Sequence, residues 1–194
     1  YFPRPLTFRS EQWISPAQVV YRDLYDPRRG LLAGIELGRG VLSALSMGTG
    51  FTHMEWYRKA DGEVVFGEIG CRNGGGHFVD MMNWGNDFDI YREWARAVCW
   101  HSFEAEASRR NHVGMVFKRA QGDGRIQAIE GMDEVRRRYA PHIVADALLP
   151  IGAQRRDWKQ TLISDGFVAF RHPDVDAVRE MMDAVIGRVR LFAG

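Results

Sequence analysis

The sequence predicts an α+β protein, an antiparallel sheet with helices followed by a small second lobe, and three observations carry that reading. Two strand-like runs, Phe51 to Arg58 and Glu63 to Cys71, flank Asp61-Gly62, a strong hairpin signal because Asp and Gly both tolerate positive φ. Helical patterns stand on both sides of that hairpin. From Arg125 onward the pattern runs β-α-β-β-α-β, the split order of ferredoxin-like sandwiches.

Each element has its own signal. Residues 1 to 25 are short apolar stretches broken by proline, with Gln18 to Tyr21 as a candidate strand. Arg28 to Met47 carries Leu31, Leu32, Ile35, Val41, Leu42 and Leu45 at helical spacing, with Gly48 placed to end it. Gly34, Gly38 and Gly40 oppose that helix, each costing up to about 1 kcal/mol relative to Ala. After the hairpin comes Asn73-Gly74-Gly75-Gly76, a loop with almost no side chain, then helices over His77 to Trp84 and Asp87 to Trp100.

The polar stretch 104 to 111 sets the expected boundary, with one domain over 1–107 and a small α+β lobe over 108–194. The second lobe begins with a strand (His112 to Arg119) and a turn (Gly122-Asp123-Gly124). It continues with a strand (Arg125 to Glu130), a helix (Met132 to Tyr139) and a strand (Ile143 to Leu149). It closes with strand (Gly166 to Arg171), helix (Asp174 to Ile186, capped by Asp174) and strand (Val189 to Phe192).

Composition narrows the function classes. The 194 residues are 45% apolar and 26% charged, the balance of an ordinary soluble globular protein. A net charge of +1 gives no reason to expect nucleic acid or a membrane as partner. The basic runs Arg136-Arg137-Arg138 and Arg155-Arg156 read as solvated faces. Two cysteines, Cys71 and Cys99, do not make a disulfide framework and fit a reduced, cytoplasmic protein. No apolar run approaches the roughly 20 residues of a membrane span. The chain opens Tyr1-Phe2-Pro3-Arg4-Pro5 without Met and reads as part of something longer.

The chemistry gathers on the hairpin. With Asp61-Gly62 as a two-residue turn, opposed residues have numbers that add to 123, which sets Glu55 opposite Glu68 with β-carbons about 5 Å apart. Alternation puts Phe51 and His53 on that face from one strand, and Phe66, Gly70 and Arg72 from the other. Met54, Trp56 and Ile69 point the other way, toward a core, and Cys71 reads as a buried thiol. Opposed like charges destabilise a sheet, so they need solvent, a shared proton or a cation. Oxygen ligands so spaced suit Mg²⁺, which takes one or two carboxylates plus water and substrate phosphates. The bland alternative is a solvent-facing hairpin with two incidental glutamates. Arg72 could hold an anion beside the metal, and Gly74, Gly75 and Gly76 leave N–H groups open to a ligand. His53 and His77 could both reach the site.

The stretch Gly50-Phe51-Thr52-His53-Met54-Glu55-Trp56, then Asp61-Gly62, then Glu68-Ile69-Gly70-Cys71-Arg72-Asn73-Gly74-Gly75-Gly76 resembles the metal-binding end of the ATP-grasp enzymes. It is most similar to the carboxylate–amine ligase branch, which includes L-amino-acid ligases and biotin-carboxylase-like proteins. The resemblance implies a C-terminal ATP-grasp lobe whose cofactors are ATP and Mg²⁺, with Mn²⁺ as a substitute. It implies metal and nucleotide binding by Glu55 and Glu68, and stabilisation of an acyl phosphate by Arg72. It also implies acyl-substrate contacts from Gly74, Gly75, Gly76 and His77. The partners it implies are a small carboxylate, an amine, and N-terminal lobes of the same protein upstream of Tyr1. The oligomeric state stays open, with a homodimer as one option. The sequence departs from the family's Glu-x-Asn-x-Arg motif at Gly70, where the asparagine usually serves a second magnesium. That departure keeps open a non-catalytic ATP-grasp-like domain used for binding or assembly.

Overall fold

The computed structural model describes residues 15–194 apart from Leu162. The proline-broken opening of the chain lies outside the described residues. Packing divides the protein into two compact units. Arg22–Arg109 form one, and residues 15–21 join Arg110–Gly194 in the other.

The Arg22–Arg109 unit begins with a 3₁₀ turn at Pro27–Arg29, capped by the Asp26 side chain. Helix α1 (Leu32–Ala44) follows, shorter at both ends than the apolar spacing predicts. Ser46 at φ 52, rather than Gly48, takes the left-handed position after it. Strands β2 (His53–Arg58) and β3 (Val64–Gly70) form the hairpin, and helices α2 (Phe78–Asn86) and α3 (Ile90–Trp100) complete the unit. Helix α1 lies against the hairpin. A side chain at Gly34 would overlap the Trp56 ring, and a Cβ at Gly38 would sit 3.7 Å from Met54 Sδ. Two of the three glycines that oppose the helix in sequence, Gly34 and Gly38, thus face side chains of β2, whereas Gly40 faces open space. Asp89 caps α3 by accepting from Tyr91 N at 2.9 Å and Arg92 N at 3.3 Å.

Glu93 of α3 is fully buried. Its carboxylate accepts from the backbone N–H groups of Glu104 at 2.8 Å and Ala105 at 3.3 Å, tying the chain after α3 back onto the helix. Those hydrogen bonds, led by Glu104, hold its carboxyl below the usual range against the cost of burial, with Arg92 assisting.

In the second unit β1 (Ala17–Val20), β4 (His112–Phe117), β6 (Ile143–Asp146) and β7 (Phe167–His172) form an antiparallel sheet in the order β1-β4-β7-β6. Helix α5 (Val175–Arg188) covers β4 and β7 with Val178, Met181, Met182 and Val185, and α4 (Met132–Tyr139) packs beside it. Asp174 caps α5 by accepting from Asp176 N. Strands β5 (Ile126–Glu130) and β8 (Arg190–Ala193) make a separate ribbon. From β5 to β8 the element order is the expected β-α-β-β-α-β. A ferredoxin-like sandwich would place those four strands in one sheet, but here β7 pairs with β4 instead of β5. All six residues of β4 are buried, so this strand needs a neighbour on each edge, and β1 and β7 supply them.

One charged run departs from a solvated reading. The Arg155 side chain is mostly buried, with its guanidinium donating to the Gly122 carbonyl and pairing with Asp123. Among the described residues no helix is long and apolar enough to cross a membrane.

Candidate functional site

Glu55 and Glu68 are directly opposed in the β2–β3 ladder. The route to that pairing differs from the two-residue turn. Lys59 N donates to Glu63 O at 2.8 Å, so the loop has three residues, Ala60, Asp61 and Gly62, with Gly62 at φ 92. Near the loop the register is therefore Arg58 with Val64, Tyr57 with Val65 and Trp56 with Phe66. The register then shifts at Gly67, an extra residue in β3, and Glu55 meets Glu68. A Cβ at Gly67 would stand 2.9 Å from the Tyr57 ring and 3.0 Å from Glu55 O, so the bulge has little room for a side chain.

The bulge corrects one assignment. Phe66 pairs with Trp56, so it lies on the face opposite Glu55 and does not help to cover the carboxylates. Cys71 is also corrected: its thiol is exposed, 3.8 Å from Met47 Sδ, because the strand ends at Gly70 and alternation no longer applies.

The carboxylates are not equivalent. Glu55 has His53 Nε2 at 3.5 Å and the Tyr57 hydroxyl at 3.4 Å. Glu68 is exposed, and its side chain makes no hydrogen bond among the described residues. The Arg72 side chain lies across Gly70, with Nε 3.4 Å from where a Cβ would be, and its guanidinium donates to Asn73 O at 2.9 Å. Across the ladder Gly70 pairs with His53.

The glycine loop is anchored to this face. A Cβ at Gly74 would sit 3.1 Å from His53 Nδ1 and 3.2 Å from Phe78 Cβ, so the loop passes closely between them. The His53 and Phe78 rings have centroids 6.3 Å apart. Around Gly75 there is open space, and Gly76 has φ 58. The buried Asn73 Nδ2 makes no hydrogen bond among the described residues. His77, at φ 63, opens α2, a left-handed conformation that costs a side-chain-bearing residue about 1–3 kcal/mol. Its Nδ1 lies 2.7 Å from Asp80 Oδ2. The sequence reading missed Asp80, although it stands three positions after His77, a spacing that could have signalled the pair.

Among the described residues no group of three or more His, Cys, Asp or Glu side chains is arranged to hold a metal ion. Two opposed carboxylates fit Mg²⁺ only when phosphate and water complete its shell, since that ion prefers one or two carboxylates with substrate oxygens. The donor set fits a metal arriving with a nucleotide better than a free-standing metal centre.

No family model matches the chain, and no curated protein matches it. Solved structures do. The L-amino acid ligase from Bacillus licheniformis aligns with TM-score 0.69 at 18% identity, covering 93% of this chain and 44% of that one. Phosphoribosylglycinamide synthetase from Anaerococcus prevotii aligns with TM-score 0.60 at 12% identity over 93% of this chain and 45% of that one. N5-carboxyaminoimidazole ribonucleotide synthetase from Thermotoga maritima gives TM-score 0.57 at 18% identity over 82% of this chain and 41% of that one. The chain spans less than half the length of each of these proteins. At these identities the likeness is one of fold, and the fold of this chain is that of the C-terminal lobe of the ATP-grasp ligases.

Proposed function

We propose that the chain is the C-terminal half of an ATP-dependent ligase. The full-length enzyme activates a carboxylate as an acyl phosphate and joins it to an amine, forming a C–N bond. The observation that carries this reading is the opposition of Glu55 and Glu68 on a hairpin that leads through Arg72 into the Gly74–Gly76 loop. Fold likeness to an L-amino acid ligase supports the amine as acceptor.

In this reading Glu55 and Glu68 hold Mg²⁺, or Mn²⁺, against the ATP phosphates. When bound, the metal neutralises charge that builds on the transferring phosphoryl group. Arg72 swings from Asn73 O to stabilise the acyl phosphate and the charge that develops as it is attacked. The backbone of Gly74, Gly75 and Gly76, with His77, borders the acyl substrate. The rest of the nucleotide site comes from N-terminal lobes, so the 194-residue chain alone is inactive. In this reading the protein works in the cytoplasm.

The test is ADP release by the full-length protein with ATP, Mg²⁺ and a carboxylate–amine mixture. Glu68→Ala is expected to abolish it, and unchanged turnover would sink the assignment. Gly70, in place of an oxygen-bearing side chain, favours a second reading, a domain that binds nucleotide without turnover. Calorimetry with Mg²⁺ and ATP on the same protein separates them, since that domain gives binding heat and no ADP.

A further inference from the structure

Glu55 and Glu68 oppose each other, but only Glu55 has side-chain donors beside it. Residues 53, 55 and 57 of β2 share one face, because strand side chains alternate. On one side His53 Nε2 lies 3.5 Å from Glu55 Oε1, and on the other the Tyr57 hydroxyl lies 3.4 Å from Oε2. Each carboxylate oxygen thus has its own donor. In β3 the residues two before and two after Glu68 are Phe66 and Gly70. The bulge turns Phe66 to the other face, and Gly70 has no side chain. An ionised carboxylate only accepts, so the His53 proton that faces it is on Nε2. The neutral ring supplies that proton, and no charge on it is required. His53 Nδ1 lies 3.1 Å from where a Gly74 Cβ would be, and the Phe78 ring stands 6.3 Å away. Loop and ring confine the imidazole, which is 21% exposed. Neither the His53 nor the Tyr57 side chain has another hydrogen-bonding or ionic partner among the described residues.

We infer that His53 and Tyr57 are positioning residues that hold the Glu55 carboxylate in place as a metal ligand. The inference rests on the ligase reading above. Neither residue touches the ion; each acts through one oxygen of Glu55. A carboxylate oxygen has two lone pairs, so each keeps one for the metal after accepting from its neighbour. Groups in this place fix the orientation of a ligand, and losing one costs about 10–100-fold in metal affinity. Both distances are at the long end for hydrogen bonds, and contacts of this kind tighten as a site closes on its ligand. Glu68 has no such support, so the two ligands differ: one is oriented in advance and the other is ordered by the ion itself. His53 also touches the glycine loop through the Gly74 position, so the same ring that steadies the metal ligand packs against the segment that borders the acyl site.

A double-mutant cycle separates this role from a merely structural one. Mg²⁺–ATP is titrated calorimetrically into the full-length protein with no carboxylate or amine present, so that acyl contacts of the loop do not enter. His53→Leu removes the imidazole donor. Tyr57→Phe removes only the oxygen of an exposed side chain, which keeps the test independent of folding. Each is expected to weaken binding by about 10-fold. His53→Gln, whose amide N–H can stand near the place of Nε2, is expected to recover most of the His53→Leu loss. In a Glu55→Ala background both changes are expected to have no further effect, because the group they act on is gone. In a Glu68→Ala background they are expected to keep their full effect. Wild-type affinity in either Tyr57→Phe or His53→Leu would overturn the inference. A loss that persists at full size in the Glu55→Ala background would overturn it as well, because the residues would then serve the hairpin and not the ligand. Failure of the parent reading looks different: wild type gives no binding heat, or Glu55→Ala and Glu68→Ala both bind as tightly as wild type, and either result overturns both.

Discussion

Glu55 stands directly opposite Glu68 across β2 and β3, with Gly67 as the extra residue that brings them into register. Glu55 has His53 and Tyr57 beside it, whereas Glu68 has no such side-chain partner among the described residues. Two opposed carboxylates repel by about 0.2–1 kcal/mol in an open ladder. Glu68→Gln should therefore raise stability in the absence of metal and nucleotide by about that amount. Urea denaturation at low ionic strength measures it, and added salt should shrink the gain. A loss of stability in Glu68→Gln would mean that the carboxylate has a favourable partner.

Gly70 can take a side chain. The nearest atoms to a Cβ there all belong to Arg72, at 3.4–3.9 Å, and Gly70 does not have a positive φ. Gly70→Asn should change stability by no more than about 0.5 kcal/mol. In the full-length protein it should tighten Mg²⁺–ATP binding several-fold by adding the missing oxygen, as read by calorimetry. Weaker binding would show that the position is needed bare for Arg72.

Gly34 sets two effects against each other. Ala in place of Gly favours a helix by about 1 kcal/mol, but its Cβ would overlap Trp56. Overpacking of this kind costs about 1–3 kcal/mol, so Gly34→Ala should destabilise the protein despite its better propensity. A gain of stability on denaturant unfolding would show that Trp56 can move aside freely.

Acid should weaken the protein through Glu93 and Asp26. Backbone donation from Glu104 and Ala105 lowers the Glu93 carboxyl, and hydrogen bonds from Arg28 lower Asp26 to about 2. A depressed carboxyl contributes stability that is complete above its unfolded value, near 4 for these side chains. That stability is lost as pH falls through the folded value. Tm should hold from about pH 7 to about pH 5 and then fall. Glu93→Gln should melt lower at neutral pH and lose less on acidification, and an unchanged acid limb would remove Glu93 from the account.

Much of the fold was legible because its signals were local. The hairpin, the Asp174 cap and the order of strands and helices all come from short-range patterns. The Glu55–Glu68 pairing came out of the sequence by two offsets that cancel. A three-residue loop shifts the register by one, and the bulge at Gly67 shifts it back. The uncancelled consequence fell on Phe66, which lies between loop and bulge and faces the other way. Strand β1 pairs with β4 across an intervening unit of the chain, a long-range choice that no local pattern carries. The i,i+3 spacing of His77 and Asp80 was a readable signal, whereas the left-handed conformation of His77 after three glycines was not.

The proposed function requires Glu55 and Glu68 to share one metal–nucleotide complex. The deciding measurement is calorimetric titration of Mg²⁺–ATP into the full-length protein, its Glu55→Gln and Glu68→Gln variants, and the double variant. Each single change is expected to weaken binding by at least about 10-fold. The double change is expected to cost clearly less than the two losses added, because both residues would act on one ion. Single variants that bind as tightly as wild type would contradict it.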